Sequence, residues 1–153
     1  MKVLPELHAS PPDTIGANTF ALPRGLVGFA DYPRAELLYQ PESLPYLWLR
    51  LSGPRGSVSF VVIEPGGIIP GYELEIFDSD AEALGITDPA ETMVLNIVTV
   101  LRQEPLHATV NLMGPIVVNR RTRVGRQLVL ANYSRYSARH VLVHPEMADC
   151  ATA

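Results

Sequence analysis

No run of about 18 or more uninterrupted apolar residues occurs anywhere in the 153 residues, so a membrane-spanning helix is not expected. The opening stretch MKVLPELHASPPDTIG carries one lysine but no continuous apolar core, and its prolines would interrupt one, so no secretory leader is expected either. Cys150 is the only cysteine. It leaves no intrachain disulfide, and a reducing compartment, the cytoplasm, suits the chain. Acids outnumber bases 16 to 12 and the sequence pI is about 5.5. That balance argues against sequence-independent binding to nucleic acid, which needs a basic face to displace counterions, and favours a basic partner. The signatures of catalysis are missing too. There is no GxSxG elbow, no Walker loop and no dinucleotide-binding glycine pattern after a strand.

What is present is short and β-rich. At 47% hydrophobic, the chain has ample material for one core and the length of one domain. The runs TFAL (19–22), ELLYQ (36–40), YLWLRL (46–51) and SVSFVVI (57–63) are rich in branched and aromatic residues and bounded by Gly or Pro, which reads as four strands. Ser52 to Gly56 has the composition of a hairpin turn. MVLNIVTVLR, HATVNLM, PIVVN and RQLVLA bring the count to about eight. TVNLMGPIVVN, the basic turn RRTRVGRQ and LVLA read as strands around a charged hairpin, with Gly114 and Pro115 as a break and Gly125 free to take positive φ at the reversal. Helix is expected only briefly. Asp78 or Ser79 can cap one, Ser79 and Glu82 have capping-box spacing, and Gly85 would stop it. Asp88, Pro89 and Glu91 predict a second short turn. The fold class expected is all-β: a small antiparallel β-barrel or strongly bent sandwich with one or two short helical turns inserted. Residues 1–16 read as a loosely ordered arm unless they pair with the sheet, 17–144 as a single domain, and 145–153 as a short tail.

Charge lies in blocks. From Glu64 to Val100 there are eight acids (Glu64, Glu73, Glu75, Asp78, Asp80, Glu82, Asp88, Glu91) and no lysine or arginine. From Val117 to His144 there are six arginines and no acid. The acidic block reads plainly as a solvated face with helix caps; its alternative is a dock for a cationic protein, whose encounter a fixed acidic face would speed. Arg120, Arg121, Arg123 and Arg126 around a turn, with Tyr133, Arg135, Tyr136 and Arg139 behind, could neutralise and stack on single-stranded RNA, but a solvated hairpin paired internally with acids is the plainer reading. His140 and His144 have helical metal spacing with Cys150 beyond them, yet Pro145 interrupts the segment and no fourth ligand is evident. Trp48 reads as core. Phe29, Tyr32 and Tyr46 read as core before groove.

Several motifs carry a family likeness, in order along residues 20 to 142. They are Gly25, Leu26, Gly28 and Phe29 (GLxGF); Pro45 with Leu47, Trp48 and Leu49; SFVVIEP (59–65); PGYELEIFDSDAEALGI (70–86); VLNIVTV (94–100); TVNL; PIV with Asn119; and Gly125, Arg126 and Gln127. This series resembles the flagellar assembly factor FliW family. Gly114 departs from it, standing where the family has a larger small residue. The resemblance implies a non-enzymatic, small β-rich cytoplasmic protein with no cofactor and two protein partners: flagellin, and CsrA, a dimeric RNA-binding repressor of flagellin translation. Flagellin would occupy the factor until export frees it to bind the repressor, a partner switch that needs no chemical step. The segment expected to meet the repressor is Tyr72, Glu73, Glu75, Asp78, Asp80 and Glu82. Flagellin ends are amphipathic helices, so an apolar groove or open strand edge is the receptor expected for them.

Overall fold

The computed structural model describes residues 1–5, 18–102 and 105–142. In chain order the strands are β1 (Lys2–Val3), β2 (Thr19–Ala21), β3 (Arg34–Leu38), β4 (Leu47–Gly53), β5 (Gly56–Ile63), β6 (Leu74–Glu75), β7 (Thr92–Arg102), β8 (His107–Val110), β9 (Ile116–Asn119), β10 (Val124–Gln127) and β11 (His140–Leu142), with one α-helix, α1 (Asp78–Ala83), between β6 and β7. The larger sheet runs β11-β8-β7-β5-β4-β3-β2-β10-β9, and β9 returns to pair with β7. Seven strands, β7-β5-β4-β3-β2-β10-β9, therefore close into a barrel, as expected, and β8 and β11 extend outward from β7. The ring is antiparallel except at the β2/β10 seam, where Ala21 meets Val124 in parallel.

Alternation makes the barrel wall. In β4, Leu47, Leu49 and Leu51 point inward, opposite Val62, Phe60 and Val58 of β5, while Trp48 and Arg50 point out. Trp48 is 39% exposed, so the core assignment expected for it is corrected by the period of its own strand. Arg50 pairs across the outer face with Glu36, its register partner on β3. Phe20, Leu37, Met93, Leu95, Ile116 and Val118 complete the interior. The GLxGF loop folds over this interior: Gly25 at φ 60 turns the chain, Leu26 is buried, and Phe29 stands edge-on to Phe60 at 5.0 Å.

A second core lies outside the barrel. Strand β7 is buried on both faces through its first half, sending Met93 and Leu95 inward and Val94, Asn96 and Val98 outward. Strand β9 does the same with Ile116 and Val118 against Val117 and Asn119. This two-sided burial is why VLNIVTV and PIVVN are near-continuous apolar runs and not alternating ones. Against the outer faces pack Ile69, Tyr72, Leu74, Ile76, Ala81, Leu84 and Ile86, all from the segment that holds the acidic block.

TVNLMGPIVVN is two strands on one edge of β7. β8 pairs there up to Val110↔Val98, and β9 resumes at Ile116↔Leu95. The Asn111 N–H still donates to the Ile97 carbonyl of β7 at 3.0 Å, and residues 112–115 then loop out, held by the Asn111 side chain, whose Oδ1 accepts from the Met113 and Gly114 N–H groups at 3.0 Å each. The charged hairpin then joins Asn119 to Val124.

Several details differ from expectation. Arg123, at φ 61, takes the left-handed position in the hairpin. Gly125 lies within β10, where a Cβ would stand 2.8 Å from Val118 Cγ2 and 3.1 Å from the Val117 carbonyl. Close packing, and not chain reversal, requires that glycine. LVLA is not a strand: β10 ends at Gln127, and Leu128 and Leu130 drop into the outer core from irregular chain. Phe77, not Asp78 or Ser79, precedes the first residue of α1, with no side-chain cap; Gly85, at φ 66, follows the helix C-terminus. Asp88 does cap its short 3₁₀ turn, accepting from the Ala90 N–H at 3.0 Å. His140 begins strand β11 and so has no helical neighbour; His144, Cys150 and the tail 145–153 lie outside the described residues, as does most of the arm. The arm's first residues form β1, paired with β6.

Replacing Gly125 by alanine should destabilise the barrel by about 1–3 kcal/mol, the usual cost of overpacking. Urea unfolding measures it, and a change within error would show that the β9/β10 contact has room to give.

Candidate partner-binding surface

The acidic block folds into a cap strapped to the barrel. Tyr72 anchors it from beneath. Its ring is 3% exposed and edge-on to Tyr136 at 4.9 Å, and its hydroxyl donates to the Leu112 carbonyl at 2.7 Å while accepting from Asn96 Nδ2 at 3.1 Å. Asn96 Nδ2 also reaches the Asn111 carbonyl at 2.9 Å. The tyrosine thus fills the gap opened by the 112–115 excursion, and burial pushes its pKa well above the ordinary value near 10. A residue placed this way supports the surface from below and does not form part of it.

The next residues are clamped through their backbone. The Glu73 N–H donates to the Tyr136 hydroxyl at 2.9 Å, and that hydroxyl donates to the Glu73 carbonyl at 3.0 Å. Asn132 Nδ2 donates to the same carbonyl at 3.0 Å, while Asn132 Oδ1 accepts from the Glu75 N–H at 3.1 Å. The Ala131 N–H adds a bond to the Glu75 carbonyl at 2.8 Å. With their backbone groups occupied, Glu73 and Glu75 present side chains from a fixed frame.

Cations absent from the local sequence arrive from elsewhere in the fold. Lys2 Nζ lies 3.3 Å from Glu73, and the Met1 ammonium lies 3.3 Å from Glu75 and 3.4 Å from Asp78. Arg126 Nη1 meets Asp80 at 3.4 Å in a half-buried pair, and Arg121 lies 3.7 Å from Glu91. Asp78 is nonetheless fully exposed, Glu82 on α1 is exposed, and Phe77, just before the helix, is 49% exposed. Of the six residues expected at the contact, the structure brings five to one flank and turns Tyr72 inward. The two carboxylates that reach furthest into solvent are those of Asp78 and Glu82.

The arginine hairpin is drawn into the same flank. Besides the pairs of Arg121 and Arg126 with acids, Asn119 is fully buried, donating Nδ2 to the Leu84 carbonyl at 2.8 Å and accepting at Oδ1 from Arg121 N–H at 2.9 Å and Thr122 N–H at 3.3 Å. One side chain therefore closes both the hairpin turn and the end of α1. Tyr136, weighed as an RNA-stacking residue, is occupied in the clamp, and Arg135 lies over its ring at 5.8 Å. These uses favour internal pairing over a nucleic-acid face. The clamp residues Asn132 and Tyr136 were missed because their partners lie some sixty residues away in the chain, with no local pattern to mark them.

Among the described residues no group of three or more His, Cys, Asp or Glu is placed to hold a metal, and no helix is long and apolar enough to cross a membrane. Fold and surface define the class: a capped seven-stranded β-barrel with a clamped acidic flank. The chain belongs to the FliW family, whose model, described as FliW protein, matches residues 8–142. Relatives named flagellar assembly factor FliW include one from Natranaerobius thermophilus, 34% identical over 124 residues with 81% of each chain covered, and one from Desulfitobacterium hafniense, 38% identical over 120 residues with 78% and 77% covered. A solved crystal structure of the flagellar assembly factor FliW superposes with a TM-score of 0.72 at 29% identity, covering 95% of this chain and 99% of that one.

Tyr72 supplies a pH test. A folded-state pKa raised above the unfolded value gives stability that is whole below about pH 10 and lost as pH rises beyond it toward the folded value. Tyr72→Phe should cost about 1–3 kcal/mol at neutral pH, from the broken bond to Leu112, and should flatten the alkaline fall in stability. Urea titrations at pH 8 and at higher pH check both; an equal alkaline fall in the variant would move the titrating group elsewhere.

Proposed function

We propose that this chain is a flagellar assembly factor that acts without catalysis: it binds flagellin in the cytoplasm and antagonises the translational repressor CsrA, coupling flagellin synthesis to export. Family membership supports the general role. The observation that supports the repressor contact is the pre-set acidic flank: exposed Phe77, Asp78 and Glu82 lie between a strand whose backbone Asn132 and Tyr136 lock at Glu73 and Glu75 and a helix end that Asn119 holds at the Leu84 carbonyl. A charged surface whose frame is already fixed loses little conformational entropy on docking, and its field speeds encounter with a basic partner. Glu73, Glu75 and Asp80 extend the same flank, with their internal cations as exchangeable counter-charges.

Flagellin requires an apolar groove or an unpaired strand edge. Strand β11 is the outermost strand of the larger sheet, and it carries exposed Val141. That edge is the flagellin receptor in this reading.

Asp78→Lys combined with Glu82→Lys tests the repressor contact with little structural risk, since both side chains are exposed. Binding to CsrA in calorimetry should weaken about tenfold or more, roughly 1.4 kcal/mol, with the circular dichroism spectrum unchanged and the loss largest at low salt. Wild-type affinity in the double variant would place the contact on another face, and failure of the unaltered chain to bind either protein would sink the functional reading itself.

A further inference from the structure

A cleft of about 420 Å³ opens between the turn that follows β2 and the end of β10, within the size range of ligand pockets. Arg24, Val27, Asp80, Arg126, Gln127 and Val129 are among its lining residues. Its walls have three notable properties. Val27 and Val129 are 83% and 61% exposed, an aliphatic pair left in solvent on one concave surface. Arg24 is exposed and has no ion-pair partner among the described residues, so the cleft carries two guanidinium groups against one carboxylate. The wall is also rigid, because the Val27 N–H donates to Gln127 Oε1 at 3.0 Å and Gln127 Nε2 donates to the Gly114 carbonyl at 3.2 Å.

We propose that this cleft binds an extended acidic-aliphatic peptide, in which one Asp or Glu side chain is flanked by small aliphatic residues and its carboxylate displaces Asp80 from Arg126. Charge complementarity selects the carboxylate: the cleft holds one more cation than anion, and guanidinium groups pair with carboxylates through directed hydrogen bonds. The aliphatic flanks follow from Val27 and Val129, which gain burial only if the occupant brings apolar surface beside its charge. The displacement is possible because the Arg126 to Asp80 contact, at 3.4 Å, is long for a charge-assisted bond, so a better-placed oxygen can replace it. Asp80 belongs at once to this cleft and to the acidic flank. Occupying the cleft therefore releases a negative charge into the flank, which joins the two surfaces electrostatically.

The test uses a blocked Gly-Val-Asp-Val-Gly peptide, titrated at millimolar concentration into the isotopically labelled full chain and followed by amide chemical shifts. Shifts should concentrate in residues 24–30 and 126–129. Affinity should fall about threefold or more in Arg24→Glu and rise about threefold in Asp80→Asn, which frees Arg126, the range expected when one solvent-accessible or half-buried ion pair is changed. The same peptide with Asn in place of Asp should bind correspondingly less well. Equal binding of the Asn peptide, shifts centred elsewhere, or indifference to Arg24→Glu would overturn the proposal, and unchanged affinity in Asp80→Asn would overturn the displacement. Neither flagellin nor the repressor enters the experiment, so its failure leaves the proposed function standing and failure of that function leaves this result readable.

Discussion

The Tyr72 hydroxyl, held between the Leu112 carbonyl and the Asn96 amide, is the contact on which the arrangement of the molecule turns. Strand β7 pairs along one edge first with β9 and then with β8, and between them the partner chain leaves that edge over residues 112–115. Such a departure exposes backbone carbonyls in an apolar setting, where unpaired polar groups are costly. Asn96 and Tyr72 satisfy two of them, those of Asn111 and Leu112. Because Tyr72 comes from the acidic cap, the repair of the barrel wall and the seating of the cap are one event.

That economy extends outward. Residues from the second half of the chain, Asn119, Asn132 and Tyr136, all spend their polar groups on the cap's backbone, at Leu84, Glu75 and Glu73. The cap has a six-residue α-helix, a two-residue strand and a three-residue 3₁₀ turn of its own, too little regular structure to hold a shape alone. Its rigidity is borrowed from the barrel through these side chains, and the acidic surface inherits it.

Much of the barrel was legible in the sequence because strand runs and turn residues are local signals. The runs at 47–51 and 57–63, the turn between them and the hairpin after Asn119 stand where composition puts them. What was not legible depended on tertiary neighbours. Trp48 looked like core by its chemistry and faces outward by its alternation with Leu47 and Leu49. Gly125 looked like a turn residue, yet its smallness serves the approach of Val117 and Val118 across the hairpin. The acidic block was visible as a run of like charge and the hairpin arginines as internal partners for acids, but the particular pairs, Arg126 with Asp80 and Lys2 with Glu73, were not, since only folding brings residues so far apart in the chain together. The aromatic and amide residues after Leu130 carried no periodicity, and their role as a clamp is fixed wholly by contacts distant in sequence.

The seam between β2 and β10 shapes how such a barrel comes together. It consists of a single parallel register pair, Ala21 with Val124, and a main-chain bond from the Ala21 N–H to the Arg123 carbonyl at 2.9 Å. Every other junction in the ring joins strands through at least three register pairs. Joining the first barrel strand to the last encloses nearly the whole domain in one loop, the most entropically expensive closure the topology contains, for the fewest bonds. The seam is accordingly the place where the cylinder has least holding it shut.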